Sequence, residues 1–325
     1  MLPTGFQRIS SPQINPLWRS AEDAFDSYAR RTAIIACERD SQLMLSFRFG
    51  WFTAACYPEL EPAQLNLLTQ WHYMYTIIDD VGDKADPGGV PAAVELRKQI
   101  LHTVTADGPP TPGCSPAVSA FYDLWQRTRP YPSEGWKKRM LADLANYLAQ
   151  FAPQRQNRDT NRILSLEDYI DLRRVSVGLD PNADTLELIL GIDLPEPIFA
   201  TPLFRELRNC FVDANAWIND YYSFDREIHE NEPHNLAIVI ANETGCAYER
   251  ALQQTLDMIT ERLHRFLRIE QKIPTLIDSL DYDKGTVDNT LRYCAALKDY
   301  TYGHVLWSST SSRYNAARLR APDWA

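Results

Sequence analysis

Apolar residues recur along nearly the whole chain at spacings of three and four, a periodicity that fits helices and little else. It predicts helices over 17–31, 40–57, 61–80, 91–106, 115–129, 133–152, 166–178, 197–229, 234–243, 246–270 and 286–308. Runs that alternate apolar and polar residues are nearly absent, and so is the strand–helix alternation of a doubly wound sheet. Proline and glycine gather between the periodic segments, as in Asp86-Pro87-Gly88-Gly89, Gly108-Pro109-Pro110, Pro195-Glu196-Pro197 and Glu232-Pro233. A proline lacks the amide donor that a helix interior requires, so these are breaks between helices. None is long enough to be an interdomain linker, and there is no repeat or low-complexity block. With 45% hydrophobic residues over 325 positions, the chain can bury one large core. The expectation is a single all-α domain over 1–325, with flexible ends at 1–16 and 316–325.

The formal net charge is −10. Such a surface repels phosphate backbones and argues against nucleic acid as a partner. An anionic substrate must instead be held by local cations or by metal ions. The six cysteines (Cys37, Cys56, Cys114, Cys210, Cys246 and Cys294) are scattered, with no Cys-x-x-Cys pair. That is neither a disulfide framework nor a zinc signature, and it fits reduced intracellular thiols. The N-terminus, MLPTGFQRISSPQINP, has no basic head followed by an apolar core. No stretch approaches the roughly 18 apolar residues of a membrane span, so a soluble cytoplasmic protein is expected. The six histidines form no metal or triad pattern. Gly-x-Ser-x-Gly, Walker-type and dinucleotide motifs are absent.

Two polar clusters stand out. The apolar, aromatic segment from Trp71 to Ile78 ends in Asp79-Asp80-Val81-Gly82-Asp83. Asp79 and Asp83 share a helical face, with Asp80 beside it. Acid at a helix C-terminus opposes the macrodipole, and clustered like charges add to the cost. A divalent cation would offset both effects; the alternative is a solvated helix end. Downstream, Asn219, Ser223 and Glu227 fall at i, i+4 and i+8 after an apolar run containing Phe211, Val212, Ala214, Trp217 and Ile218. They form one oxygen-bearing stripe over two turns. Hard oxygen donors without His or Cys point to Mg²⁺ or Mn²⁺. The alternative here is an ordinary polar helix face.

Taken together, these residues resemble class I terpene synthases of the bacterial and fungal type. Asp79-Asp80-x-x-Asp83 resembles their aspartate-rich motif, and Asn219-Asp220-x-x-Ser223-x-x-x-Glu227 their second metal motif. Arg313-Tyr314 resembles the Arg-Tyr pair of the microbial branch. A diphosphate-sensing arginine in the family stands 46 positions before the Asn, which is Arg173 here; Arg174 is adjacent, and the choice between them stays open. Arg226 occupies a position where the family often has a basic residue. The glycine expected four positions after the sensor is Val177, followed by Gly178.

The resemblance implies the all-α isoprenoid synthase fold, a single-domain helical bundle around a deep apolar cavity. It implies three Mg²⁺ ions, with Mn²⁺ as substitute, held by Asp79, Asp80, Asp83, Asn219, Ser223 and Glu227. Arg173, Arg226, Arg313 and Tyr314 would bind the diphosphate. Phe52, Trp71, Tyr75, Trp217 and Trp307 are candidates to line the cavity and stabilise a carbocation through their ring faces, with plain core packing as the alternative for each. The loops around 83–90 and 228–234 and the tail after 308 are candidate lids.

The expected reaction is ionisation of an allylic diphosphate with release of diphosphate, followed by cyclisation or rearrangement to a hydrocarbon or alcohol. Farnesyl diphosphate is the substrate by analogy, with geranyl and geranylgeranyl diphosphate as alternatives. A chain-elongating prenyltransferase would typically carry two Asp-rich motifs, and this chain has one. A non-catalytic helical protein would explain the helices but not the spaced motifs. Family members of this kind are monomers or homodimers.

Overall fold

The computed structural model describes residues 2–6, 14–35, 37–84, 89–106 and 108–314, with the side chains of 80–89, 92 and 93 outside that description. Sixteen α-helices run through them: α1 (Trp18–Arg31), α2 (Glu38–Ser46), α3 (Phe49–Cys56), α4 (Pro62–Lys84), α5 (Gly89–Thr105), α6 (Pro116–Arg127), α7 (Glu134–Ala149), α8 (Phe151–Asp159), α9 (Leu166–Ser176), α10 (Leu179–Leu190), α11 (Glu196–Ala200), α12 (Pro202–Glu230), α13 (Leu236–Thr244), α14 (Tyr248–Glu270), α15 (Ile273–Ser279) and α16 (Lys284–Ser308). Among the described residues there is no strand.

The structure interrupts several helices that periodicity alone makes continuous. The segment 40–57 divides at Arg48, whose φ of 57° lies in the left-handed region. The segment 197–229 divides at Thr201, whose side chain caps α12 by accepting from Phe204 N, with Pro202 in the first helical position. Helices α10 and α15 are missing from the predicted set, and α8 extends beyond it. In α8 and α10 a proline, Pro153 and Pro181, reads as a breaker. Each sits in the first turn, where the amide has no intrahelical partner. Part of the expected flexible N-terminus is packed: Phe6 is buried, with its ring 5.5 Å from that of Phe266. Residues 316–325 lie outside the described residues.

One continuous apolar core joins most helices. Helix α12 lies along α14 and also touches α9, α10, α13 and α16. Helix α3 packs between α4 and α16, and α10 packs on α7 and α16. Side chains from α3, α4, α10, α12 and α16 enclose a cavity of about 360 Å³. No helix among the described residues is long and apolar enough to cross a membrane.

Candidate active site

The stripe on α12 is built into a hydrogen-bonded lattice at the cavity mouth. Asn219 Nδ2 donates to Tyr314 Oη (3.0 Å), and Asn219 Oδ1 accepts from Arg173 Nη2 (2.9 Å). The carboxamide is thereby fixed in one orientation. Ser223 donates its hydroxyl hydrogen to Asn219 O (2.8 Å), which leaves its oxygen with lone pairs only. Glu227 accepts from Arg226 Nη2 (2.9 Å) on one oxygen and from Asn235 Nδ2 (2.9 Å) on the other. Asn219 and Glu227 belong to the cavity wall; Ser223 is fully buried between them and does not. The end of α4 brings Asp79 to the same wall. The Asp80 and Asp83 side chains lie outside the described residues. Among the described residues no three His, Cys, Asp or Glu side chains are arranged to hold a metal ion by themselves. The donors at hand are thus an amide oxygen, a hydroxyl and carboxylates, a set suited to a hard cation.

Arg173 and Arg174, adjacent in sequence, have different surroundings. Arg173 reaches the wall and bonds Asn219 and Asp220 Oδ1 (2.7 Å) through Nη2. Burial disfavours its charge, but Asp220, Tyr169 and Glu227 together outweigh that and push its pKa up. Arg174 instead grips Asp213 with two bonds (2.8 and 2.9 Å) and is absent from the wall. Asp220 is the anchor for Arg173: it is fully buried and also accepts from Tyr169 Oη and from Leu236 N (3.0 Å). Burial pushes Asp220 up to about 6, with Arg173 pulling the other way.

Two guanidinium N–H groups at the mouth have no hydrogen-bond partner although buried: Arg173 Nε and Arg226 Nε, the latter 3.7 Å from Glu230 Oε2. An unmet buried donor is costly, and an anion at the mouth would satisfy both. Arg313 and Tyr314 close the same rim. The Arg313 guanidinium lies 5.3 Å from the Phe47 ring, and the Tyr314 ring lies 5.5 Å from that of Trp307.

Below the mouth the wall is aromatic. Phe52, Tyr75 and Trp307 line it, joined by Phe49, Tyr147 and Tyr300, which the sequence reading did not single out. Two proposed lining residues are elsewhere. Trp71 turns outward to Thr128 (Nε1 to Oγ1, 3.2 Å) and Phe121; Trp217 sits under Arg262. Ring type and position on a long helix could not tell the cavity face from the core face. The break between α9 and α10 falls at Gly178, with φ of +70°. A Cβ there would come within 3.1 Å of the Tyr147 ring, so both backbone and space call for glycine. Val177 instead closes α9, its amide donating to Arg173 O (3.2 Å).

Sequence reasoning also missed the supports. Asn235 caps α13, accepting from Ala237 N (2.9 Å), while its amide holds Glu227 and Asp220 O (2.7 Å). Arg158 donates to Glu232 (2.5 Å), which also holds His234. Burial opposes the Glu232 charge, yet His234 and Arg158 bring its pKa down to about 2. The one available signal was Asn235 itself, an N-cap residue before an apolar run.

A family model described as terpene synthase family 2, C-terminal metal binding, matches residues 70–265. Among curated relatives, a 7-epi-alpha-eudesmol synthase ((2E,6E)-farnesyl diphosphate cyclizing) of Streptomyces viridochromogenes is 26% identical, covering 82% of this chain and 78% of its own. Pristinol synthase of Streptomyces pristinaespiralis is 25% identical over 97% of this chain and 86% of its own. Among solved structures, an a-eudesmol synthase superposes with a TM-score of 0.84 at 21% identity, covering 94% of this chain and 99% of that one. A linalool/nerolidol synthase from Streptomyces clavuligerus, in complex with 2-fluorogeranyl diphosphate, also gives 0.84, at 20% identity over 91% and 99%. At such identities the structural likeness speaks for the fold alone.

Proposed function

Because the chain belongs to the terpene synthase family carrying the C-terminal metal-binding region, we propose that it ionises farnesyl diphosphate and turns the resulting carbocation into a sesquiterpene. The observation that carries this reading is the pair of buried, unpartnered guanidinium N–H groups of Arg173 and Arg226 beside Asn219 and Glu227, above an aromatic cavity. Arg173 and Arg226, with Arg313 and Tyr314, bind the leaving diphosphate through charge-assisted hydrogen bonds. Asn219, Ser223 and Glu227, together with Asp79, Asp80 and Asp83 of the aspartate-rich motif, would hold Mg²⁺, three ions in all. When bound, the metal ions neutralise the leaving group's charge as Lewis acids.

The wall below supplies ring faces to the cation. Phe52, Tyr75 and Trp307 are the proposed contacts, each worth about 2 kcal/mol when desolvated. Closure of the rim formed by Arg313 and Tyr314 excludes bulk water. One chain, 1–325, carries every residue invoked, and the reading needs no second copy.

The test is purified protein with Mg²⁺ and, separately, geranyl, farnesyl and geranylgeranyl diphosphate. Diphosphate release and extractable products are measured with and without isopentenyl diphosphate. Metal-dependent release from farnesyl diphosphate with a volatile C15 product is expected. Longer prenyl diphosphates, or release only from another chain length, would replace the substrate assignment.

A further inference from the structure

The cavity wall carries two histidines whose tautomers are fixed by the bonds behind them. His304 Nδ1 lies 3.0 Å from Asn215 Oδ1. Asn215 directs its amide hydrogens to Phe211 O (2.9 Å) and Thr301 Oγ1 (2.9 Å), so its oxygen is an acceptor. Thr301 in turn gives its single hydrogen to Leu297 O (2.9 Å), so it must accept from Asn215. The chain of donors runs one way, and His304 carries its hydrogen on Nδ1.

His72 repeats the pattern. Thr53 donates to Phe49 O (2.8 Å) and lies 2.7 Å from His72 Nδ1, so the ring nitrogen is the donor. Both rings therefore keep a lone pair on Nε2; that of His72 is buried, with the Asn182 side chain close enough to act on the ring. Burial pulls the pKa of each ring to about 3, so both are neutral.

Both residues line the cavity. Their rings flank Phe52, at 4.8 Å for His72 and 6.0 Å for His304. Asn215 stands one turn before Asn219, which puts the His304 contact about 6 Å below the α12 stripe along the helix axis. A bare imidazole nitrogen beside a carbocation would be alkylated. A water molecule donating its hydrogen to that nitrogen removes the hazard and turns its own oxygen lone pairs into the cavity.

We propose that His72 and His304 use their Nε2 lone pairs to hold water in the cavity, and that this water captures the final carbocation, making the product a terpene alcohol. The inference rests on the ionisation reading above. In the capture step a water lone pair forms the new carbon–oxygen bond. One O–H bond of the resulting oxonium breaks, and its proton passes to Nε2. The imidazolium returns the proton to diphosphate or solvent when the cavity opens. Overall, allylic diphosphate and water give alcohol and protonated diphosphate.

The experiment uses the full chain with Mg²⁺ and farnesyl diphosphate in oxygen-18 water, with diphosphate, alcohol and hydrocarbon quantified together. The wild type is expected to yield alcohol carrying the heavy oxygen. His304→Phe and His72→Phe are expected to lower the alcohol-to-hydrocarbon ratio by about tenfold or more. A packing defect would lower both products together and leave the ratio alone. Thr53→Val, which removes the acceptor orienting His72, is expected to lower the ratio as well, and Thr53→Ser to restore it; these two serve if His72→Phe does not fold. Hydrocarbon as the sole wild-type product, or a ratio that every variant leaves unmoved, overturns the water assignment while ionisation stands. No diphosphate release from any prenyl diphosphate overturns the ionisation reading, and this inference with it.

Discussion

Arg173→Ala, set against Arg174→Ala, probes the cavity mouth with an internal control one residue away. Arg173 faces the cavity with a free Nε–H, whereas Arg174 is absent from the wall and is held by Asp213. A hydrogen bond to a charged group is worth about 1.5–3 kcal/mol, so losing the Arg173 contact should weaken diphosphate binding about ten- to a hundredfold. Arg174→Ala should leave it within about twofold. The two variants also differ in stability. Removing Arg173 strips the cation from Asp220, which is fully buried. Breaking such a pair costs about 3–5 kcal/mol, and the remaining bonds from Tyr169 and Leu236 N favour the lower end. Removing Arg174 leaves Asp213 paired with Arg262 at 2.7 Å, so the loss there should be about 1–2 kcal/mol. Calorimetric titration of inorganic pyrophosphate in the presence of Mg²⁺ reads the affinity, and urea unfolding reads the stability. The reasoning is refuted if Arg174→Ala weakens pyrophosphate as much as Arg173→Ala does.

Asp79→Asn and Asn219→Leu should each reduce diphosphate release by about a hundredfold or more, with circular dichroism unchanged; turnover at wild-type level in both would remove the metal assignment. Glu22, beneath α3, gives the clearest pH effect: burial pushes its pKa from 4.5 to about 7, against its bonds from Tyr73 and Gly50 N. A carboxyl raised in the folded state contributes stability that is complete below the unfolded value and lost as pH climbs through the folded one. Wild type should therefore lose about 2–3 kcal/mol between pH 5 and pH 8 that Glu22→Gln retains; parallel urea curves for the two proteins at both pH values would contradict this.

The helical class and the oxygen-bearing stripe on α12 were readable because both are written in local spacing. Asn219, Ser223 and Glu227 share a face by helix geometry alone, whatever packs around them. The breaks were harder to read. Arg48 adopts a left-handed conformation that no local residue preference announces, and Pro181 looks like a terminator until its place in a first turn is known. Which tryptophans face the cavity was not readable at all. Trp71 and Trp307 are equally buried and aromatic, and only the neighbours contributed by distant helices separate them. The same holds for Arg173 and Arg174, whose partners Asp220 and Asp213 lie about two turns apart on α12. The histidines, dismissed as a metal cluster, matter individually, because their tautomers depend on Thr53, Asn215 and Thr301 from other turns and helices.

The polarity of the cavity wall has a direction that accounts for both proposals. At the mouth the unmet groups include N–H donors, Arg173 Nε and Arg226 Nε, which can serve only an anion or an acceptor. Further in, His72 and His304 each carry a lone pair on Nε2, fixed there by the bonds at Nδ1. Ionising an allylic diphosphate separates negative charge, left with the diphosphate, from positive charge on the hydrocarbon. A wall with donors at one end and rings and acceptors at the other lowers the energy of that separated state without moving any group. Reversed, with histidine lone pairs at the mouth and guanidinium groups below, the same side chains would hold the ion pair together and oppose the reaction.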